Sequence, residues 1–363
     1  MIPADSDPSR RPSTVGGSVG DGMRLGLLLS GQHPPGESAV AAVREHIEQV
    51  ELAREFGFSS VWTSQHFLSH PFMYFQSVPL LARVAAAAEG MTVGTSVLLL
   101  TLLNPVEVAE NTATLDAISD GRFVLGVGIG YRRVENAAFG VGLRRADLFE
   151  RKLEVVRRLL KGESVTAEGD GFQLADARLT LVPDRLPPIW VGADSDAAVR
   201  RAARIGDAWI FPPHTRLDEL ERQIHLYRAA RTEHGLPAAT ITPVIKEVCV
   251  AATDEEALDV ARPYLKDKYD AYVDWGQSDV LPPADTLRRE FAELTAGGRF
   301  VLGSPETCAA ILADHVDRLG VDHFVCRLQW PGMPQRLVLS SMRLLAQEVW
   351  PALRDRGFRN RGD

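Results

Sequence analysis

The residues of this chain that could do chemistry follow or interrupt short apolar runs. His66 comes just after the run FSSVWTS, Thr95 and Ser96 interrupt MTVGTSVLLL, and the run that begins at Phe123 ends in the glycines of GVGIGY. Histidine can transfer protons, hydroxyls can hydrogen-bond a ligand, and glycines let a ligand approach the backbone closely. Unless these are only loop and turn residues, they predict a ligand site.

Another apolar run, PPIWVGA, also ends in candidate ligand groups. Gly192 and Ala193 clear space there, and Asp194 and Ser195 precede a helical pattern. Free N–H groups at a helix start bind phosphate, and a serine hydroxyl can add one bond. One of the two polar residues can also be the helix N-cap, and Asp194 should turn away from a phosphate. Arg327, near the end of the last run, fits an outward salt bridge or a substrate contact.

No hydrolase or metal signature accompanies these residues. No GxSxG follows any of the strand-like runs, and the chain has no HExxH and no paired carboxylates at strand ends. His66 and His70 are four positions apart, but no helix is indicated there and no glutamate accompanies them, so no metal site is expected. Small residues, hydroxyls, aromatics and lone histidines suit a flat organic cofactor that supplies its own chemistry.

Alternating apolar runs and helical patterns must position these residues. Residues 91–131 read as strand, helix and strand, a βαβ order that predicts parallel strands. Eight strand-like runs without a composition break predict an α/β fold, the (β/α)8 TIM barrel with insertions, whose catalytic residues lie at the carboxyl ends of the strands. An open doubly wound sheet is the alternative. Against it, Tyr131 occupies the place of the third glycine in a dinucleotide fingerprint.

The chain of 363 residues divides into a leader and one domain. Residues 1–22 are rich in Ser, Gly, Pro, Asp and Arg without an apolar core, which predicts a disordered leader rather than a signal peptide. Residues 23–356 are expected to form a single barrel domain. Residues 263–300 break the rhythm and predict an insertion, either a candidate lid or a surface excursion that packs on a neighbouring subunit.

Composition and charge argue against several classes of binding partner. The formal net charge of −8 argues against nucleic acid or an anionic membrane surface. No apolar run approaches the length of a membrane span. Three scattered cysteines indicate no disulfide framework, which fits a reducing cytoplasm.

A resemblance to a known family rests on five segments: WTSQHF, GTSV, NPVEVAENTATLDAISDGRFVLGVGIGY, VGADSDAAVRRAARIGDAWI and LGSPETCAAILADHVDRLGVDHFVCRLQW. Together they resemble the bacterial luciferase-like monooxygenase family from Met23 to about Arg354. That family comprises barrel enzymes that bind reduced FMN or a deazaflavin. The stretch 104–131 is the most specific part.

The resemblance implies a flavin lying across the barrel mouth. A non-prolyl cis peptide, here Ser96–Val97, would bulge against its ring, and the loops after strands four and five would hold the ribityl chain and phosphate. The implied catalytic residue is His66, with no metal ligand. The implied cofactor-binding residues are Ser96, Val97, Gly128, Ile129, Gly130, Tyr131, Gly192, Ala193, Asp194 and Ser195.

Two departures from the family pattern bear on the reaction. Gln65–His66 stands where relatives often carry Glu-His or Asp-His. Tyr131 stands where sugar-phosphate dehydrogenases of the family, which use a deazaflavin, carry a glutamate, so that reaction is not expected. Glu135, four residues later, is interpreted as part of its own loop's structure.

The resemblance implies a flavin-dependent oxidoreductase, and most directly a monooxygenase that uses reduced FMN and O2 on a small organic substrate. The alternatives are an oxidoreductase that transfers hydride with coenzyme F420 and a non-catalytic flavin-binding protein. Reduced FMN would come from a separate flavin reductase or from reduction in place by NAD(P)H. Family members often pair, so a homodimer is expected.

Overall fold

The computed structural model describes residues 22–142, 145–276, 291, 295 and 297–359. The predicted leader, apart from Gly22, lies outside the described residues, as does much of the second half of the segment 263–300. The expectations for these parts stay predictions.

Short strands alternate with helices along the described chain. The strands are β1 (Arg24–Leu28), β2 (Gln32–His33), β3 (Ser60–Thr63), β4 (Met73–Tyr74), β5 (Thr92–Thr95), β6 (Leu98–Leu99), β7 (Phe123–Gly128), β8 (Val165–Gly169), β9 (Phe172–Ala177), β10 (Ile189–Gly192), β11 (Ala208–Ile210), β12 (Pro243–Val250), β13 (Val301–Gly303) and β14 (His323–Arg327). The helices are α1 (Ala39–Glu55), α2 (Ser77–Val84), α3 (Pro105–Ile118), α4 (Arg133–Ala138), α5 (Arg145–Leu160), α6 (Asp196–Ile205), α7 (Leu217–Glu233), α8 (Asp254–Asp274), α9 (Pro305–Leu319), α10 (Gln335–Leu344) and α11 (Trp350–Arg359). None of these helices is both long and apolar enough to cross a bilayer.

A curled parallel sheet carries the fold. Within the described ranges its strands follow the order β11-β10-β7-β5-β3-β1-β14-β12-β13, and β6 pairs with β7. Phe211, just after β11, forms an isolated parallel bridge with Val244 in β12, so the sheet bends back toward itself. The α/β class and the parallel sheet are confirmed, whereas full closure into a TIM barrel stays a prediction.

The predicted strand runs correspond to β1, β3, β5, β7, β10, β11, β12 and β14. The sequence analysis missed β13, which pairs with β12 at the edge of the sheet. Three residues are too short a run for an apolar pattern to stand out from the flanking loops.

The segment predicted as an insertion begins inside a helix. Helix α8 continues past Pro263 to Asp274, so the regular structure ends eleven residues later than the predicted break. Leu265, Tyr269 and Tyr272 lie on its buried face, and this face continues at helical spacing on the far side of the proline. A proline removes one backbone hydrogen bond, and here side-chain packing keeps the helix going.

A small inner core fills the amino-terminal part of the space that the curled sheet surrounds. Trp62 and Trp190 stack there with ring centroids 4.6 Å apart, and both contact His323, the first residue of β14. Gly94 makes room for this pair, because a Cβ at that position would lie 2.3 Å from the Trp62 ring. The open space is therefore confined to the carboxyl ends of the strands.

Candidate functional site

A cavity of about 310 Å³ opens at the carboxyl ends of the parallel strands. Loops that follow β3, β5, β7, β10 and β11 form most of its wall. Every residue predicted for the site lines it, namely His66, Ser96, Val97, Gly128, Ile129, Gly130, Tyr131, Gly192, Ala193, Asp194 and Ser195. The structure thus brings the predicted residues together, while their roles stay predictions.

Val97 forms one part of the wall, between two glycines. The Ser96–Val97 peptide bond is cis, as the family resemblance implies. A Cβ on Gly128 would lie 2.8 Å from Val97 Cγ2, and a Cβ on Gly192 would lie 3.3 Å from Val97 Cγ1. Any side chain at Gly128 would therefore displace Val97, and one at Gly192 would crowd it.

Two hydroxyls beside this wall lack a protein partner. Ser96 Oγ and Tyr131 Oη are buried and make no hydrogen bond within the described part of the chain. Burial raises the pKa of Tyr131 well above its ordinary value, so its phenol stays neutral and can donate. An unsatisfied buried hydroxyl costs about 1–3 kcal/mol, which a polar ligand in the cavity would recover.

His66 forms a buried pair with Glu135. Its Nδ1 lies 3.0 Å from Glu135 Oε1, which also accepts hydrogen bonds from Phe67 N at 2.8 Å and from Arg132 Nη1 at 3.2 Å. Because Glu135 Oε1 already accepts from Phe67 N and Arg132 Nη1, it acts as an acceptor toward His66 as well, and Nδ1 carries the hydrogen. The pair thereby fixes the tautomer and leaves Nε2 as the ring nitrogen for a ligand.

The contact with His66 corrects the interpretation of Glu135 as a residue of its own loop. Helix α4 carries Glu135, and the bond reaches 69 positions back along the chain to the loop after β3. No local pattern marks such a partner, because the two loops meet only when β5 and β7 have docked beside β3. The fold places this carboxylate, and the sequence around it gives no sign of its partner.

Arg132 and four aromatic rings enclose the histidine. Arg132 donates to Phe67 O at 2.6 Å and to Leu68 O at 3.1 Å, and its guanidinium lies 3.9 Å from the Trp275 ring centroid. The rings within 6.1 Å of His66 are those of Tyr74, Tyr131, Tyr272 and Trp275. This packing restricts water around the imidazole and holds the loop after β3 in place.

Ser195 has the expected role of a helix N-cap, whereas the orientation of Asp194 relative to a phosphate stays a prediction. Ser195 is the N-cap of α6 and accepts from Ala198 N at 3.4 Å. Asp194 Oδ1 lies 3.3 Å from His214 Nε2, so its carboxylate has a partner within the cavity wall. The start of α6 thus lines the cavity, and His214 offsets the acidic side chain when protonated.

Two arginines on the cavity wall escaped the sequence analysis. Arg145 donates to Gly130 O at 2.9 Å, and Arg201 lines the wall from α6. Burial lowers the pKa of Arg201, which nevertheless remains cationic at neutral pH. The paired arginines of VRRAA, less than two turns after a candidate phosphate-binding helix start, were the only available signal for Arg201.

Arg327 lines the cavity from the end of β14, and it forms a buried ion pair with Glu247. Its Nη1 donates to Glu247 Oε1 at 3.0 Å, and Trp330 Nε1 donates to Glu247 Oε2 at 2.6 Å. Lys268 of α8 also binds Glu247, and burial together with the charge of Arg327 lowers the pKa of Lys268 to about 7. The outward salt bridge considered for Arg327 is therefore wrong.

The other histidine of the predicted segment lies elsewhere. His70 is exposed and does not line the cavity, and it precedes a cis-proline, Pro71. Among the residues that the structure describes, no group of three or more His, Cys, Asp or Glu side chains could hold a metal ion.

The family model described as luciferase-like monooxygenase matches residues 23–323. The chain belongs to the luciferase-like monooxygenase family. The resemblance found in the sequence is therefore confirmed, and the chain is an enzyme of this class.

Relatives of the chain include both cofactor classes of the family. The 4-hydroxyprotoasukamycin monooxygenase of Streptomyces nodosus subsp. asukaensis is 29% identical, over 82% of this chain and 83% of that protein. The F420-dependent glucose-6-phosphate dehydrogenase of Microbacterium testaceum is 30% identical, over 84% and 92%. The oxygenating constituent of 3,6-diketocamphane monooxygenase from Pseudomonas putida, solved with FMN, superposes with a TM-score of 0.74 at 21% identity, over 91% of this chain and 99% of that one.

Proposed function

We propose that this chain is an FMN-dependent monooxygenase whose cofactor binds in the cavity at the strand ends. The observation that carries the proposal is the pair of partnerless hydroxyls, Ser96 Oγ and Tyr131 Oη, beside a wall kept clear by Gly128 and Gly192. Buried polar atoms at an open, apolar-sided cavity are the arrangement expected where a flat polar ring system docks.

The residues present fit FMN at both of its ends. The glycines at positions 128 and 192 would let the ring lie close to Val97, and the hydroxyls would meet its polar edge. Ser195, Arg201 and the N–H groups at the start of α6 would hold the phosphate, because they combine a helix N-terminus with a cation. Ile129, Gly130, Ala193 and Asp194 would line the ribityl path.

The cofactor would supply the redox chemistry, and the protein would supply substrate orientation, exclusion of water and proton transfer. When bound, reduced FMN supplies the two electrons with which O2 is divided between the substrate and a water molecule. The protein would orient the substrate, and the aromatic rings around His66 would keep bulk water out. His66 Nε2, held in one tautomer by Glu135, would accept or return the proton that the reaction moves.

The remaining proposals concern closure of the sheet, the source of the electrons, the oligomeric state, the location and the choice of substrate. The bridge between Phe211 and Val244 supports a sheet closed into a complete (β/α)8 barrel. We propose that a separate flavin reductase or NAD(P)H supplies the reduction, that the chain forms a homodimer in the cytoplasm, and that the segment 263–300 contributes to substrate choice. None of these affects which residues would touch the flavin.

Titration of the purified protein with FMN and with coenzyme F420, followed by tryptophan fluorescence, tests the cofactor. Saturable binding of FMN, well ahead of F420, is the expected result. Oxygen uptake with reduced FMN, stimulated by a substrate found in a screen of small organic compounds, then tests catalysis. Binding without any stimulated uptake would make the chain a flavin-binding protein, and no flavin binding would end the proposal.

Hydride transfer with F420 is the second candidate function. The 30% identity to an F420-dependent dehydrogenase favours it. Tyr131 disfavours the sugar-phosphate version, since the resemblance places a glutamate there. Preferential F420 binding with substrate oxidation in the absence of oxygen would establish this alternative.

A further inference from the structure

Arg327 gives the cavity a second cationic region, away from the one near α6. It ends β14, whereas Arg145 and Arg201 accompany the loops after β7 and β10. In the sheet, β5, β3 and β1 separate β7 from β14, so the two cationic regions face the cavity from different arcs of the wall. A phosphate held at α6 would leave Arg327 without an anionic ligand.

Arg327 belongs to a buried cluster whose charges do not cancel. Within the described ranges, Glu247 is the one carboxylate that binds both Lys268 and Arg327, and the exposed side-chain fractions of these three residues are 0%, 1% and 8%. Below about pH 7, where Lys268 is protonated as well as Arg327, the cluster carries one excess positive charge. An excess charge in a buried site is costly, and one negative charge from a ligand would neutralise it.

The guanidinium has donors to spare for such a ligand. Glu247 accepts from Arg327 through Nη1 alone, and Tyr272 lines the same cavity as this side chain. Arginine presents five N–H groups in a planar fork that matches a carboxylate in two-point geometry. The neighbouring cavity wall includes apolar side chains such as Leu99, Ile210 and Ile245.

We propose that Arg327 recognises the substrate of this cavity and that this substrate carries a carboxylate on an apolar body. The inference rests on the proposed function, because it assigns the substrate class of the same site. The carboxylate would bind the fork of Arg327, and the apolar body would pack against the aliphatic wall beside the flavin position.

Calorimetric titration of the FMN-saturated protein at pH 6.5 with octanoate and with octan-1-ol tests the inference. The two probes share an eight-carbon body and differ in the head group. Octanoate should bind at least about tenfold more tightly, since a charge-assisted hydrogen bond is worth that much or more. Arg327→Met should remove this preference, whereas Arg343→Met, an exposed arginine of α10, should keep it.

Two further arms keep the outcomes distinct. Arg327→Lys retains the charge and should retain part of the preference, which serves if Arg327→Met does not fold. FMN affinity is measured for each variant, and it should change less than about twofold.

Equal affinity of the wild type for both probes would overturn the inference, as would a loss of FMN binding in Arg327→Met, which would make Arg327 a flavin contact. A preference for octanoate in a protein that fails to bind FMN would leave the inference standing and remove the proposed function.

Discussion

Two buried histidines, His66 and His323, occupy opposite ends of the same sheet and differ in every partner. At the amino-terminal end, the Ser60 hydroxyl lies 2.8 Å from His323 Nε2 while it accepts from Trp62 Nε1. At the carboxyl end, His66 donates to the carboxylate of Glu135 and lines an open cavity. One imidazole is sealed in the inner core, and the other lies between a carboxylate and the candidate site.

The difference shows how one residue type serves two ends of a fold. Burial lowers the pKa of His323 to about 3, so it remains a neutral packing and hydrogen-bonding group over the ordinary pH range. His66 has a fixed tautomer that leaves Nε2 for a ligand, and it lines the cavity. Stability should therefore depend on the amino-terminal end, and turnover on the carboxyl end.

Trp62→Ala should give the largest effect, at the amino-terminal end. The change removes a fully buried ring and the stacking partner of Trp190, and such truncations cost about 3–5 kcal/mol of unfolding free energy. Urea unfolding measures this loss. The FMN affinity of the folded fraction should stay within about twofold of the wild type, and a selective loss of FMN binding would contradict the separation of the two ends.

His66→Ala should lower turnover by about 10²- to 10⁴-fold, the usual contribution of a positioned acid or base. Oxygen uptake with any substrate that the wild type accepts measures this. Unfolding free energy should fall by less than in Trp62→Ala, since Glu135 keeps its bonds from Phe67 N and Arg132 Nη1. His225→Ala, at an exposed position of α7, is the matched control and should have wild-type turnover. Unchanged turnover and flavin binding in His66→Ala would remove its role.

Acid should destabilise the protein partly through His323. Between pH 6.5 and about 3 the unfolded chain takes up a proton at this residue and the folded chain does not, so stability falls as pH falls, by up to about 1.4 kcal/mol per pH unit. His323→Asn should remove this contribution, so the unfolding free energy should depend less steeply on pH. Urea unfolding at pH 7 and pH 4.5 measures it.

His46 supplies an internal comparison for the acid prediction. Burial lowers the pKa of His46 to about 3 as well. The contribution of His46 to the pH dependence of stability should therefore persist in His323→Asn. A slope that does not change in His323→Asn would mean that His323 takes up its proton without unfolding.

Ser195→Ala should give the smallest effect and the most specific one. FMN affinity should fall by about 1 kcal/mol, one charge-assisted hydrogen bond or slightly less, while riboflavin, which lacks the phosphate, should be insensitive. Loss of the N-cap should also cost about 1 kcal/mol of stability. Equal losses for FMN and riboflavin would place the phosphate elsewhere.

Much of the fold could be predicted from local patterns, because parallel strands read as apolar runs and their connecting helices as periodic ones. The run from Met91 to Tyr131 became β5, α3 and β7 in the expected order. Strand β13 and the end of α8 were missed, since one is short and the other crosses a proline. In both cases tertiary packing outweighs the local signal.

Likewise, only some residues of the candidate site could be predicted from the sequence. Residues at strand ends, such as Ser96, Gly128 and Ser195, could be found because the fold class says where ligands bind. Glu135, Glu247 and Lys268 could not, since each acts through a partner from a distant element. Charged partners of this kind are fixed by packing, and only the assembled sheet reveals them.

A crystal structure of the protein soaked with FMN tests the central claim most directly. We expect flavin density in the strand-end cavity, with the ring beside Val97 and the phosphate near Ser195 and Arg201. FMN bound at another surface, or a cavity that stays empty in crystals saturated with FMN, would contradict it.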